Sequence, residues 1–367
     1  MDTIVISHIS TLRAIRCARR AYGSLPWRPI GRVEQRKALA RCLPNRELLD
    51  LSHLSRLGFW EEGETDPLDI LMSNPDSRRQ NPQIQCHVMS RPLPDHALVE
   101  VDRGLYCTSP AFTALLYSRG RTIPEVLMLL LELLGTYSLP AEATHLLAHR
   151  ELIPKNEAHW SGDLDMRGNQ SEVNQAHYRC EPAASVQELK SIAIWTKSSE
   201  YASFRSAVNI ATEGSASPGE SIMYGMFAAP MGLGGLACGK LPKGGMQLNQ
   251  QVNFSSEAVR MSSGIPYAIC DAYIPSALTD LEYNGFQHEL IAARIHDGNR
   301  NNGLKGMGIK VIVINREQMC DISALEEIAK QIYADAHVRF RQVTKGYRVK
   351  QASWLNGLRA GVGLPPV

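Results

Sequence analysis

The sequence predicts a two-domain protein of mixed α/β class: an N-terminal α+β domain, then a C-terminal α/β sandwich around a mixed central sheet. Three observations lead there. At 367 residues the chain exceeds one ordinary compact core, since domains cluster near roughly 100–200 residues. Its composition, 44% hydrophobic and 21% charged, is that of a globular chain and excludes disorder for most of its length. Finally, the first half mixes short extended pieces with helical patterns, whereas the second has a strand-rich centre flanked by helices, which is how a sheet covered by helices reads.

In order along the chain, Thr3 to Ser7 reads as a strand that runs into an amphipathic helix carrying Leu12, Ile15 and Arg19 on successive turns. Leu98 to Leu105 reads as a strand and turn. Ser109-Pro110 supplies an N-cap and a proline at the first helical position, so a helix follows over Ala111 to Tyr117. Another begins after Ile123, with Pro124 again at the start. These elements make up the first domain, residues 1–150. Residues 151–185 are rich in turn formers and lack periodicity, as a linker or insertion would. A helical connector over 186–216 follows, with helices at Val186 to Thr196 and Tyr201 to Thr212.

The second domain, 217–340, reads as helix, Gly-rich loop, strand (Gln247 to Phe254), strand (Tyr267 to Ile274), strand (Thr279 to Tyr283), helix (Gln287 to Lys305), strand (Lys310 to Ile314) and helix (Ser323 to Asp335). A basic tail, 341–367, closes the chain. From Arg339 onward it holds six basic residues and no acid, and the stretch from Arg13 to Arg46 is likewise rich in Lys and Arg. Such ends suit a polyanion, although a solvated basic face is just as ordinary.

Several classes are set aside. The longest apolar run, Ile123 to Leu139, is interrupted by Pro124, Glu125 and Glu132 and is too short to span a bilayer, so no membrane association is expected. The N-terminus shows no secretory signal, and the eight cysteines stand singly with no zinc-finger spacing, which predicts reduced thiols and a cytoplasmic location. Gly234 to Lys240 fits the first seven positions of a phosphate-binding P-loop, yet Leu241 stands where a hydroxyl should hold Mg²⁺ and Pro242 where the helix should begin. No nucleotide is expected there.

Asp271 and Glu282 carry the main functional signal. A turn at Pro275-Ser276 separates their strands, so both acids can meet on one hairpin and form an oxygen site for Mg²⁺. The bland alternative is a solvent-facing hairpin. The wider pattern is Gln250-Gln251, Asp271-x-Tyr273-x-Pro275, Leu281-Glu282-x-Asn284-Gly285-x-x-His288 and Asp297-x-x-Arg300-x-x-x-Leu304-x-x-x-Gly308-Ile309-x-Val311. It resembles the very-short-patch-repair (Vsr-like) branch of the PD-(D/E)XK, restriction-endonuclease-like nucleases. The match covers roughly residues 217–335.

That resemblance implies a metal-dependent endonuclease hydrolysing DNA phosphodiester bonds. Asp271 and Glu282 would bind Mg²⁺ or Mn²⁺, with Glu220 either a third ligand or the acid of a capping box with Ser217. Gln251 would orient water or phosphate, and His288, Arg294, Arg300 and Asn284 would lie near the nucleic-acid backbone. Two departures stand out. Asn284 replaces the Lys of the wider superfamily and the Asp usual in this branch, and the insertion from Ser255 to Pro266 is long. A catalytically inactive nuclease fold that binds nucleic acid as a regulator or antitoxin is the alternative that Asn284 favours. The N-terminal half is similar, more faintly, to the core of AbiEi-like abortive-infection antitoxins, through Ile6-Ser7-His8-x-Ser10-x-Leu12 and Gly104-Leu105-Tyr106-Cys107-Thr108-Ser109-Pro110. This similarity implies a bacterial phage-defence or toxin–antitoxin setting with a protein partner.

Overall fold

The computed structural model describes residues 3–42, 49–61, 66–78, 82–141, 176–284, 291–341 and 346–367; the side chains of Ser77 and of residues 291–297 lie outside that description. The chain is of mixed α/β class and divides into two compact units. Among described residues, the first comprises 3–141 and 176–211, and the second 212–367.

The first unit begins with β1 (Ile4–Ile6), α1 (His8–Tyr22), β2 (Arg28–Pro29), α2 (Arg32–Ala40) and α3 (Leu51–Arg56). It continues through β3 (Leu68–Met72), β4 (Ile84–Val88), β5 (Leu98–Asp102), β6 (Leu105–Thr108), α4 (Pro110–Tyr117) and α5 (Ile123–Leu134). The short strands β7 (Tyr137–Ser138) and β8 (His177–Tyr178) and the helices α6 (Val186–Trp195) and α7 (Ala202–Val208) complete it. Six strands form one mixed sheet in the order β2-β5-β6-β1-β3-β4, with β1 parallel to β6 and antiparallel to β3. The stretch read as a strand and turn is a hairpin, β5 and β6, whose turn contains Gly104 at φ +80°, a conformation that strains any residue with a β-carbon.

Helix starts follow their side chains. Ser109 Oγ accepts from Phe112 N–H, and Pro110 occupies the first turn of α4, where its missing N–H costs nothing. Thr122 and Glu125 cap α5 reciprocally. Helix α5 is buried along nearly its whole length, and its one charge near the C-terminal end is neutralised across the core: Arg16 Nη2 lies 2.7 Å from Glu132 Oε2 and Arg16 Nε donates to Glu132 Oε1 at 3.0 Å. Beside it Arg19 donates to the carbonyl oxygens of Glu132 and Gly135. Helices α6 and α7, read from the sequence as a connector, belong to this unit. Trp195 meets Phe112 edge-on at 5.8 Å between ring centroids, and Ser203 Oγ donates to Ser118 O. The division therefore falls at residues 211 and 212, after the helical pair and not before it.

The second unit runs α8 (Pro218–Ala228), β9 (Gln247–Asn253), α9 (Ser256–Met261), β10 (Tyr267–Ile274), β11 (Thr279–Asn284), α10 (Ile291–Gly306), β12 (Lys310–Asn315), α11 (Arg316–Cys320), α12 (Ile322–Asp335) and α13 (Tyr347–Gly361). Its sheet has the order β12-β11-β10-β9. The pairs β9/β10 and β10/β11 are antiparallel, whereas β11 and β12 are parallel and joined through α10, as a parallel pair requires. Ala268, Cys270, Leu304 and Ile309 form the buried contact between sheet and α10. Gly303 is needed there, because a β-carbon at that position would sit 2.1 Å from the Phe254 ring.

Two sequence readings change here. The insertion from Ser255 to Pro266 contains the short helix α9, capped by Ser255 Oγ, which accepts from Ala258 N–H. The segment read as a basic tail contains α13, whose Tyr347, Trp354, Leu355 and Leu358 are buried. Trp354 Nε1 donates to Gly225 O at 2.9 Å, and Gly225 leaves room for Leu358, which a β-carbon would meet at 2.7 Å. Among the described residues no helix is long and apolar enough to cross a membrane.

Candidate functional sites

The acids singled out in the sequence come together around the middle strands of the second unit. The β10/β11 ladder pairs Ile274 with Thr279, Tyr273 with Asp280 and Ala272 with Leu281. Asp271 and Glu282 are the next residues on the two strands at that end, just beyond the paired ones. At this end the ladder continues through a side chain, as Tyr283 N–H donates to Asp271 Oδ2 at 3.2 Å.

Glu220 is brought to the pair by the first turn of α8. Ser217 Oγ caps Glu220 N–H at 3.1 Å, while the Glu220 carboxylate accepts from Ala216 N–H at 2.9 Å and from Asn249 Nδ2 at 3.0 Å. Glu220 thus serves its helix start and also lends its charge to the cluster. The Asp271 carboxyl is pushed up to about 7 by burial, by the charge of Glu220 and by that of Glu282, against the opposing Tyr283 N–H. Burial also raises Glu220, despite its three hydrogen-bond donors. Asp280 is raised by its burial and by Glu282.

Glu282 has a cation of its own. Arg300, reaching from α10, forms an ion pair with Glu282 through Nη1, lies 3.3 Å from Asp280 Oδ2 through Nη2, and donates to Ile269 O. The sequence resemblance expects this arginine at the nucleic-acid backbone; in the fold it is half-buried against two acids. Gln251 lies on β9 opposite Ile269, and its amide turns along the strand to Asn253 Oδ1 at 2.8 Å. It is Asn249, not singled out in the sequence, that reaches Glu220. Asn284 ends β11 in an exposed position opposite Asn315. His288 and the side chain of Arg294 lie outside the described residues.

A second cluster, absent from the sequence reading, lies in the first unit. It is the one set of three His, Cys, Asp or Glu side chains among the described residues whose donor atoms all lie within 4.8 Å of one another: His8, Asp69 and His87. The set Glu220, Asp271 and Glu282 is looser than this. Asp69 and His87 stand on the parallel pair β3/β4, where Asp69 pairs with Gln85 and Leu71 with His87, so both side chains share a face. His87 Nε2 lies 2.7 Å from Asp69 Oδ1. Residues 61 and 79 positions apart carry no joint sequence signal; only the sheet brings them together.

The Gly-rich loop does not resemble a phosphate cradle. Most of its N–H groups are already used: Gly234 donates to Met231 O, Gly235 to Pro230 O, Leu236 to Met226 O, Ala237 to Ala229 O, Lys240 to Ala237 O and Leu241 to Cys238 O. Leu241 is extended and no helix begins there. A P-loop needs those amides free and aimed at the ligand. Equilibrium dialysis with ATP is expected to show no binding at micromolar concentration; binding that disappears in Lys240→Ala would contradict this.

No family model matches the chain, and neither a curated protein nor a solved structure shows significant similarity to it.

Proposed function

We propose that the second unit is a nuclease domain of the PD-(D/E)XK class, of the Vsr-like branch, and that it hydrolyses DNA phosphodiester bonds with Mg²⁺ or Mn²⁺. The observation that carries the reading is the gathering of Glu220, Asp271 and Glu282 at one end of β10 and β11, where burial first, and then the two flanking acids, push Asp271 up to about 7. Buried like charges of this kind oppose folding unless something neutralises them, and a divalent ion with oxygen ligands does so. The order helix, three antiparallel strands, helix, parallel strand, with the acids on the two middle strands, supports the same reading.

In this reading Asp271 and Glu282 hold the ion and Glu220 lends negative charge from the α8 terminus. The ion would lower the pKa of an attacking water and offset the charge of the scissile phosphate. Arg300, paired with Glu282 and Asp280, would be the cation nearest a phosphate brought to that ion. The first unit would place this chemistry in a phage-defence or toxin–antitoxin setting, in a cytoplasmic protein with a protein partner.

The second reading is a nuclease fold that binds nucleic acid without cutting it, and two observations favour it: Arg300 already occupies Glu282, and Asn284 offers no charge. The two separate at Asn284. Asn284→Asp restores a carboxylate two residues beyond Glu282 on the same strand. It is expected to tighten Mg²⁺ binding and raise plasmid cleavage on the order of tenfold if the position serves the metal. Unchanged cleavage and affinity would assign Asn284 to the turn that follows, where Asn and Asp are interchangeable for backbone reasons.

A further inference from the structure

We propose that His8, Asp69 and His87 form a binding site for a divalent transition-metal ion of the zinc class in the first unit, separate from the acidic cluster of the second. Two imidazoles and one carboxylate are a familiar ligand set for such an ion, and three protein ligands leave a position for water or an exogenous ligand. The donor atoms lie within 4.8 Å of one another. At metal–ligand bonds of about 2.0–2.2 Å, tetrahedral donors stand roughly 3.3 Å apart, so His87 Nε2 and Asp69 Oδ1 have to part by only about 0.6 Å from their present hydrogen bond.

The supporting shell is built. The free oxygen of Asp69, Oδ2, accepts from the N–H of Ile9 at 3.2 Å and of Ser10 at 3.4 Å, and Ser10 Oγ returns the bond by accepting from Asp69 N–H at 3.0 Å. Thus Oδ2 is held by the start of α1 while Oδ1 faces His87. His8 Nδ1 lies 2.9 Å from Ser7 Oγ, which leaves Nε2 as the nitrogen for a metal; this is how an outer partner orients a ligating histidine. His8 itself is held at φ +50° on the first residue of α1, a backbone conformation that costs a side-chain-bearing residue about 1–2 kcal/mol and that persists where surrounding contacts dictate it. That conformation stacks its ring on His87, with centroids 3.6 Å apart and planes at 21°. Both rings have to turn for their in-plane lone pairs to meet on one ion, a side-chain movement open to them because neither ring is fully buried. Asp69 is the least exposed of the three, so the ion would enter from the histidine side.

The test uses the full-length chain after chelator treatment. Zn²⁺ titrated against a competing chromophoric chelator should fill one tight equivalent in the wild type. His8→Gln and His87→Gln should each weaken that equivalent at least tenfold. Asp69 is left unaltered because it also holds the first turn of α1. Since eight cysteines are present, Co²⁺ supplies the second readout: the wild-type spectrum should show ligand-field bands without thiolate-to-cobalt charge transfer. Absence of a tight equivalent, unchanged affinity in both variants, or a thiolate charge-transfer band would each overturn the proposal. The Co²⁺ spectrum decides the matter even if a variant fails to fold.

Discussion

Glu282→Gln is expected to abolish Mg²⁺-dependent cleavage of plasmid DNA, with a loss of at least about a hundredfold, while leaving the fold intact. The glutamine keeps an oxygen that Arg300 can donate to, and Asp280 still pairs with Arg300, so the contact between α10 and the sheet survives. What disappears is the negative charge opposite Asp271. One ligand charge fewer weakens a site built on carboxylates, and without the ion neither the attacking water nor the scissile phosphate is activated. Cleavage rates measured at saturating Mg²⁺, beside circular dichroism of both proteins, test this. Equal rates in variant and wild type would remove Glu282 from the chemistry.

The second large effect concerns stability. In Glu132→Ala the guanidinium of Arg16, fully buried, loses its counter-charge, and breaking a buried pair from one side costs about 3–5 kcal/mol. For a unit of this size the melting temperature should fall on the order of 10 °C. The Glu132 carboxylate also accepts from Leu139 N–H at 2.9 Å, so the segment after α5 loosens with it. The double variant Arg16→Met/Glu132→Leu should recover only part of the loss, because the buried Arg19 also faces the charge of Glu132 and Leu139 N–H loses its acceptor. A melting temperature for Glu132→Ala within 2 °C of the wild type would show the pair to be energetically idle.

The parts of the fold legible in the sequence are those where local pattern and tertiary burial agree. Strands β10, β11 and β12 alternate or run apolar between clear turn formers, and α4 and α5 open on proline after a capping hydroxyl, so the bounds of these strands and of α4, and the start of α5, are legible nearly to the residue. Helix α13 is hard to see in the sequence because its basic residues resemble a solvated tail. Yet Tyr347, Trp354, Leu355 and Leu358 recur at helical spacing and mark a buried face. The connector helices were assigned to neither domain because the apolar faces of α6 and α7 say only that something covers them. In the acidic site, Asp271 and Glu282 were legible from hairpin spacing. Arg300 was read as a phosphate contact because sequence shows a helix-borne arginine but not which acids it faces. Nothing local could have revealed His8, Asp69 and His87, which meet only through the order of strands β1, β3 and β4.

The central claim, a carboxylate-held divalent ion in the second unit, is tested most directly by calorimetric titration of Mg²⁺ or Mn²⁺ into the metal-free full-length protein. One ion should bind to the wild type, and binding should be lost in both Asp271→Asn and Glu282→Gln. Metal-free Asp271→Asn should melt higher than the metal-free wild type near pH 8, because the variant no longer buries a charge beside Glu220 and Glu282. No measurable heat with either ion, or an affinity unchanged by Asp271→Asn, would contradict the claim.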